Sequence, residues 1–192
     1  ALFGSGGAVP GSLLLESKPS APISPEASFA AGIALVPGDR GASVLAELSI
    51  LENSTLSSLG RYSPRGLVDR RRERDDATRE GARLSLRAPS LDAPAKALSG
   101  GNQQKLALLR CLLAKPKVLL LDDPTRGVDL GAKAEIHELF RELARGGMGL
   151  LFHSTELDEL LAVCQRVLVF YRGEVVPTLS GSELSRERVL AH

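Results

Sequence analysis

The chain has 192 residues, of which 43% are hydrophobic and 24% are charged, a composition typical of one globular domain with a packed core. Its 24 basic side chains are nearly balanced by 23 acidic ones, so the net charge of +1 argues against a general affinity for polyanions. No apolar run approaches the roughly 18 residues that span a bilayer, and we expect no secretory signal. Cys111 and Cys164 lie in leucine- and valine-rich stretches, which predicts buried, reduced thiols.

The first part of the chain, residues 1–47, is rich in glycine and proline and has two short strand-like runs, at 12–16 and 33–36. A Pro-Gly-Asp-Arg-Gly loop follows the second run. Residues 48–98 are charged and helical in pattern, and the mixed-sign run at 70–76 predicts a solvated helix face held by weak ion pairs. A nucleic-acid surface is the weaker interpretation of that run, because acidic residues interrupt the arginines and no aromatic residue is interleaved.

The last part, residues 99–192, alternates between apolar strands and amphipathic helices. We expect helices at 101–114, 132–145 and 156–164 and strands at 118–121, 150–153 and 167–171, the last followed by a turn into 175–176. This alternation predicts an α/β domain whose parallel sheet is covered on both faces. The charged middle part is then an inserted helical subdomain.

The segment at 98–105, LSGGNQQK, places a serine and two glycines at the start of a helix. Bare N–H groups at a helix N-terminus and a nearby hydroxyl form an anion site, and glycine lets a ligand approach the backbone closely. Taken alone, the Ser-Gly-Gly part is explained in most proteins as an ordinary helix cap, because serine-glycine caps are common. A second motif follows it at 118–125, VLLLDDPT, where a carboxylate ends a buried strand at the edge at which α/β folds bind ligands. There Asp122 can hold Mg²⁺ through water.

Together these segments resemble the ATP-binding cassette (ABC) ATPases, in the form seen in the second cassette of simple-sugar importers. Residues 98–105 resemble the C-signature, and residues 122–133 resemble the Walker B motif and D-loop. Residues 32–40, 48–53 and 87–90 are also similar. The resemblance implies a P-loop NTPase-like α/β fold, with a mostly parallel sheet flanked by helices and an inserted helical subdomain.

The resemblance also implies a site in which ATP is clamped between two cassettes, each signature contacting the γ-phosphate held by the other. The residues that would bind ATP are Ser99, Gly100, Gly101, Asn102, Gln103 and Asp129. Asp122 would hold Mg²⁺, and Asp123 would be the catalytic carboxylate. The implied partners are a second cassette fused N-terminally, transmembrane permease subunits on the helical subdomain and, indirectly, a solute-binding protein, but no nucleic acid. The implied location is the cytoplasmic face of the membrane.

Several positions depart from the family pattern. Gly4-Ser5-Gly6-Gly7 is not followed by Lys-Ser/Thr, so we expect the Walker A strand and loop to be missing because the chain begins after them, and we expect no ATP binding by residues 1–192 alone. Asp123 is one methylene shorter than the usual glutamate, and Gly38 occupies the Q-loop position. Thr155 stands where the switch histidine is expected, and His153, two residues earlier, is more simply a packed or surface residue.

These observations leave three hypotheses. The leading one is a cassette that energises import of a sugar and donates its signature to a partner's ATP site. The second is a structural or regulatory cassette that does not hydrolyse ATP, which the altered positions favour. An ABC ATPase of DNA repair or translation is less favoured, because the interval 48–97 is too short for the long insertions of those subtypes.

Overall fold

Two apolar strands, β3 (Ile33–Val36) and β4 (Val118–Asp122), pair in parallel, with Ile33 opposite Val118. Every residue in them is buried or half-buried except Asp122 at the carboxyl end. Parallel strands covered on both faces need apolar residues at successive positions, which explains why both runs lack polar alternation. Both strands were predicted at these places.

The structure is a computed structural model and describes residues 13–20, 24–39, 43–64, 66–172 and 174–190. The glycine-rich segment at 4–7, position 12 of the first predicted strand and positions 40–41 of the predicted loop lie outside the described residues. The chain divides into two compact units, the first ending at Leu151 and the second beginning at Phe152.

The first unit begins with an antiparallel hairpin, β1 (Leu13–Leu15) and β2 (Lys18–Ser20). Helix α1 (Pro25–Ala31) follows; the Ser24 hydroxyl caps it, and Gly32 ends it at a φ of 87°, a left-handed conformation that favours glycine. Gly32 leads directly into β3.

A helical segment follows and contains α2 (Ile50–Thr55), a 3₁₀ turn (Leu56–Ser58), α3 (Leu59–Tyr62) and α4 (Arg70–Arg83). Ser49 and Glu52 form a capping box at the start of α2, because each side chain receives the other residue's backbone N–H. A second 3₁₀ turn (Ala95–Ala97) closes the segment. The helices thus occupy the part of the chain whose pattern predicted them.

The charged run at the start of α4 is a solvated face, as predicted, with one exception. Arg71 and Asp75 pair weakly, at 4.0 Å, and their side chains are 94% and 68% exposed. The Glu73 side chain is only 1% exposed. It accepts a hydrogen bond from the Thr55 hydroxyl (2.7 Å) and another from the Arg70 guanidinium (3.0 Å). Because its charge is paired and hydrogen-bonded, this carboxylate can be buried between α2 and α4.

Two long helices carry the remaining core of the first unit, α5 (Gly100–Leu113) and α6 (Leu130–Arg145). The apolar stripe predicted for α6 is buried, with Phe140 fully inaccessible to solvent. In α5 the residues from Gln104 to Leu109 are all buried, because α2, α4 and β3 pack around it as well as α6. β5 (Gly149–His153) follows α6 in the order β3–β4–β5, and the Gly149 amide donates to the Lys117 carbonyl (2.9 Å).

The second unit contains α7 (Leu157–Val163), an antiparallel hairpin of β6 (Arg166–Tyr171) and β7 (Glu174–Ser180), a 3₁₀ turn (Gly181–Glu183) and α8 (Arg186–Leu190). The strand predicted at 167–171 therefore forms, and it pairs with the chain that follows the predicted turn. Arg186 donates to Asp158 (2.6 Å) and links α8 to α7.

No helix of the described residues combines the length and the apolar character needed to cross a lipid bilayer. Both cysteines are free thiols; Cys111 is buried, as predicted, whereas Cys164 is only half-buried.

Candidate functional site

The N-terminus of α5 is the centre of the candidate site. Ser99 is the residue before the first helical turn, with φ −63° and ψ 159°, but its hydroxyl makes no capping hydrogen bond to the helix backbone. The first N–H groups of a helix have no acceptor within the helix itself. Ser99 is exposed and residues 100–103 are half-buried, so these donors lie at the surface of the first unit. A helix end of this kind attracts anions.

A short chain of hydrogen bonds orients the Ser99 hydroxyl. The Arg87 backbone N–H donates to Asn102 Oδ1 (2.8 Å), and Asn102 Nδ2 donates to Ser99 Oγ (2.9 Å). Because a backbone N–H can only donate, the Arg87 contact fixes which end of the Asn102 amide is the oxygen. Ser99 Oγ therefore acts as the acceptor towards Asn102, and its own proton is left to donate elsewhere.

Gln103 makes its hydrogen bonds to the residues just before α5. Its Nε2 donates to the Leu98 carbonyl (3.3 Å), and its backbone N–H donates to the Ser99 carbonyl (2.8 Å). Both contacts fasten the start of α5. The side chain of the next residue, Gln104, is buried, and its Nε2 has no hydrogen-bond partner among the described residues.

Gly101 brings α5 against the start of α6. A Cβ at Gly101 would lie 3.3 Å from the Ala132 Cβ and 3.7 Å from Asp129 Oδ2 and from a Val128 methyl. The tight contact explains why this position has no side chain. It also places residues of the segment that resembles the D-loop beside the segment that resembles the signature.

Asp129 has a structural role in addition to its predicted ATP contact. Its Oδ1 accepts the Ala132 N–H (3.0 Å), and its backbone carbonyl accepts the Lys133 N–H (2.9 Å), so it is the N-cap of α6. Its carboxylate is exposed. The structure therefore brings Ser99, Gly101 and Asp129 into one region of the first unit.

Asp122 and Asp123 lie where β4 ends. Asp122 is exposed at the carboxyl end of the strand, the edge at which α/β folds bind ligands. Asp123 is half-buried and has a φ of 42°, a left-handed conformation that aspartate tolerates better than most residues. Two turn hydrogen bonds follow, from Arg126 N–H to the Asp123 carbonyl (3.1 Å) and from Val128 N–H to the Thr125 carbonyl (3.1 Å). They lead the chain from β4 to the start of α6.

Gly38 lies directly against this strand end. A Cβ at Gly38 would lie 2.9 Å from the Asp122 carbonyl oxygen and 3.4 Å from the Asp123 Cβ. The first of these distances is too short for a real contact, and the atom it would meet is backbone. The glycine at position 38 therefore has a local reason, because the loop after β3 passes too close to β4 for a side chain.

Lys105 and Glu135 were not among the predicted site residues. The Lys105 side chain is 5% exposed, and its ammonium donates to the Glu135 carboxylate and to the Ser85 carbonyl (3.1 Å). The hydrogen bond from Lys105 holds the pKa of Glu135 below its ordinary value. A lysine on the same side of the helix as Gly101, four residues later, is the sequence signal that could have found this contact.

The remaining predicted positions belong to the second unit. His153 ends β5 and is exposed, and Thr155 is exposed two residues later. Between them, the Ser154 hydroxyl donates to Glu159 (2.6 Å) and accepts the Glu156 N–H (3.0 Å), which shapes the turn into α7.

Comparisons with known proteins agree with the motifs. Residues 2–126 match the family model described as ABC transporter. The ribose import ATP-binding protein RbsA 1 of Rhizobium johnstonii is 38% identical over 193 residues, covering 99% of this chain and 38% of the relative. The xylose import ATP-binding protein XylG of Burkholderia ambifaria is 44% identical over 192 residues, covering 99% of this chain and 37% of the relative. This chain therefore spans less than two fifths of either relative.

Solved structures agree on the fold. A nucleotide-free ATP-binding cassette from an ABC transporter superposes with a TM-score of 0.81, covering 100% of this chain and 77% of that one, at 23% sequence identity. At that identity the likeness concerns the fold alone. It confirms the predicted α/β class with a parallel sheet and flanking helices.

Proposed function

The chain belongs to the ABC transporter family, and we propose that it serves ATP-driven import of a sugar by offering the N-terminus of α5 to ATP held by a second cassette. The observation that carries this proposal is the uncapped, surface-exposed helix end at Ser99, with its oriented hydroxyl. The relatives named for ribose and xylose import support the solute class.

The α5 terminus has the donors that a γ-phosphate needs. The Ser99 hydroxyl proton and the amides of Gly100, Gly101 and Asn102 would point at phosphate oxygens, and the helix dipole adds a partial positive charge. Gln103 would flank them. Phosphoryl transfer depends mainly on positioning and on stabilising charge on the transferred group, and preformed donors supply both.

The end of β4 would serve the other nucleotide of the pair, the one on this cassette's own side. The Asp122 carboxylate offers the hard oxygen ligand that Mg²⁺ prefers, and it would hold the ion through water. When bound with ATP, Mg²⁺ neutralises the charge of the phosphates. Asp123 would accept a proton from the attacking water or orient it.

Exposed leucines support docking of this segment on transmembrane permease subunits. The helical segment and its approach expose large apolar side chains to solvent, at Leu45, Leu48, Leu56, Leu59 and Leu67. Where such side chains form one contiguous patch, they mark an interaction site. The assembly would then lie on the cytoplasmic face of the membrane, with the second cassette in the same polypeptide and a solute-binding protein acting indirectly.

The test is an arginine at position 99 of the full-length protein, assembled with its partner subunits. Ser99→Arg should lower ATP turnover at least a hundredfold, because the long cation fills the space in front of α5. Ser99→Ala should lower it about a hundredfold, since one donor is lost. Glu142→Arg, at an exposed position of α6, is the matched control and should leave turnover unchanged. Unchanged turnover in Ser99→Arg would refute signature donation.

A second candidate is a cassette that binds at the interface without hydrolysing ATP. Two altered positions favour it: Gly38, in the loop after β3, has no room for a side chain, and Asp123, at the end of β4, is shorter than glutamate. Single-turnover hydrolysis separates the two candidates. Turnover that falls in Ser99→Arg supports the first, whereas turnover indifferent to both Ser99→Arg and Asp123→Asn supports the second.

A further inference from the structure

The N-terminal halves of α5 and α6 meet in register at two points. Gly101 lies against Ala132, and one turn later Lys105 pairs with Glu135. Residues four apart on α5 and three apart on α6 lie on one face of each helix, so the two contacts form a single seam. The first contact is a close approach without a side chain, and the second is an ion pair.

Lys105 is the buried member of this seam. Its side chain is 5% exposed, whereas the Glu135 side chain is 43% exposed. A buried ammonium must be paired and hydrogen-bonded, and Lys105 meets this need with one carboxylate from α6 and one carbonyl from the turn after α4. Lys105 Nζ therefore ties α5 to two neighbouring elements, α6 and the turn after α4.

The carbonyl that Lys105 contacts belongs to a constrained turn. Ser85 has a φ of 50°, a conformation that is uncommon for residues other than glycine. Two residues later, the Arg87 N–H holds the Asn102 amide that orients the Ser99 hydroxyl. Lys105 thus contacts, at Ser85, the same turn whose Arg87 N–H positions the donors of the α5 terminus.

We propose that Lys105 and Glu135 act as a positioning pair. Their ion pair fixes the α5 terminus relative to the turn at Asp129, so that both contact the partner's nucleotide in a fixed relative position. This inference rests on the proposed function. Neither residue touches the nucleotide; each acts through the placement of Ser99 and Asp129. Displacement of a positioned group by about 1 Å can lower a rate a hundredfold, so the pair affects turnover more than binding.

The experiment uses the full-length protein assembled with its partner subunits, and it compares Lys105→Met with Glu135→Gln. Methionine keeps the length and apolar stem of lysine without its charge, and glutamine keeps the shape of glutamate. Both variants should lower kcat for ATP between tenfold and a hundredfold, while ATP affinity measured without turnover changes less than twofold. Glu138→Gln on the exposed face of α6, where the glutamate pairs with Arg141 and Arg145, is the matched control and should leave kcat unchanged.

A double-mutant cycle with Ser99→Ala identifies the route of the effect. If the pair acts by placing Ser99, Lys105→Met should cost little further activity in the Ser99→Ala background. Additive losses would overturn the positioning role, and so would a loss of ATP affinity and thermal stability in parallel with kcat. If Ser99→Ala itself leaves turnover unchanged, the proposed function fails; if Ser99→Ala lowers turnover and neither pair variant does, only the positioning inference fails.

Discussion

Gly38→Ala should destabilise the protein, because the one atom it adds, the alanine Cβ, has no room. The new Cβ would lie 2.9 Å from the Asp122 carbonyl oxygen, and relief to the 3.4 Å of an ordinary contact requires a shift of about 0.5 Å between the loop after β3 and the end of β4. Gly38 does not have a left-handed φ, so backbone strain adds nothing and the cost comes from the contact alone. Forcing a methyl group into a packed site costs about 1–3 kcal/mol.

Gly60→Ala is the matched control because it makes the same chemical change in open space. Nothing lies within 4 Å of a Cβ at Gly60, which is in α3. Alanine there reduces the freedom of the unfolded chain and should stabilise the protein by about 0.4–1 kcal/mol. The two substitutions should therefore shift the free energy of unfolding in opposite directions.

Urea unfolding followed by far-UV circular dichroism measures both changes. With an unchanged slope m of about 2 kcal/mol per molar urea, a loss of about 2 kcal/mol lowers the midpoint by about 1 M. The thermal midpoint should fall by about 4–8 °C. If Gly38→Ala shifts the midpoint in the same direction as Gly60→Ala, the close approach of the loop after β3 to the end of β4 is not a feature of the folded protein, and the explanation for the glycine at position 38 fails.

Two further predictions concern single side chains. Asp129→Ala should lower the free energy of unfolding by about 1 kcal/mol through loss of the α6 cap, while Asp129→Asn keeps a capping oxygen and should be neutral in urea unfolding. A loss of ATP turnover in Asp129→Asn would then show a role beyond the cap. Equal stability of the wild type and both variants would contradict the capping role. Burial raises the pKa of Cys111 to about 12, so its thiol stays protonated, and iodoacetamide at pH 8 should label Cys164 first and Cys111 only after unfolding in urea. Mass spectrometry of peptides gives both labelling rates, and rapid labelling of Cys111 in the folded protein would refute its burial.

The spacing of apolar residues along the chain was sufficient to predict the main helices and strands. The strands at 33–36 and 118–121 formed as predicted because uninterrupted apolar runs of that length suit a strand covered on both faces. The helix at 130–145 formed because its apolar residues recur at helical spacing, and its cap, Asp129, is the kind of residue that begins helices. The signature segment was identifiable because its residues are contiguous.

Contacts between distant parts of the chain were not predictable from pattern. Glu73 belongs to a run of charged residues and yet is buried, because Thr55, 18 positions away, offers it a hydroxyl. Gly38 was treated as a lost side chain, and the structure instead shows a site with no room for one. Neither fact follows from the neighbours in sequence, since both depend on which elements pack together.

The amino-acid sequence alone was thus sufficient to identify the family, the fold class and the serine and glycines at the start of α5. Those properties follow from local spacing, which any contiguous segment displays. Tertiary structure decided that the Ser99 hydroxyl leaves the helix uncapped, that Arg87 orients it through Asn102, and that Lys105 joins α5 to Glu135 of α6. These contacts join residues up to 30 positions apart, and only the packing of the helices brings them within hydrogen-bonding distance.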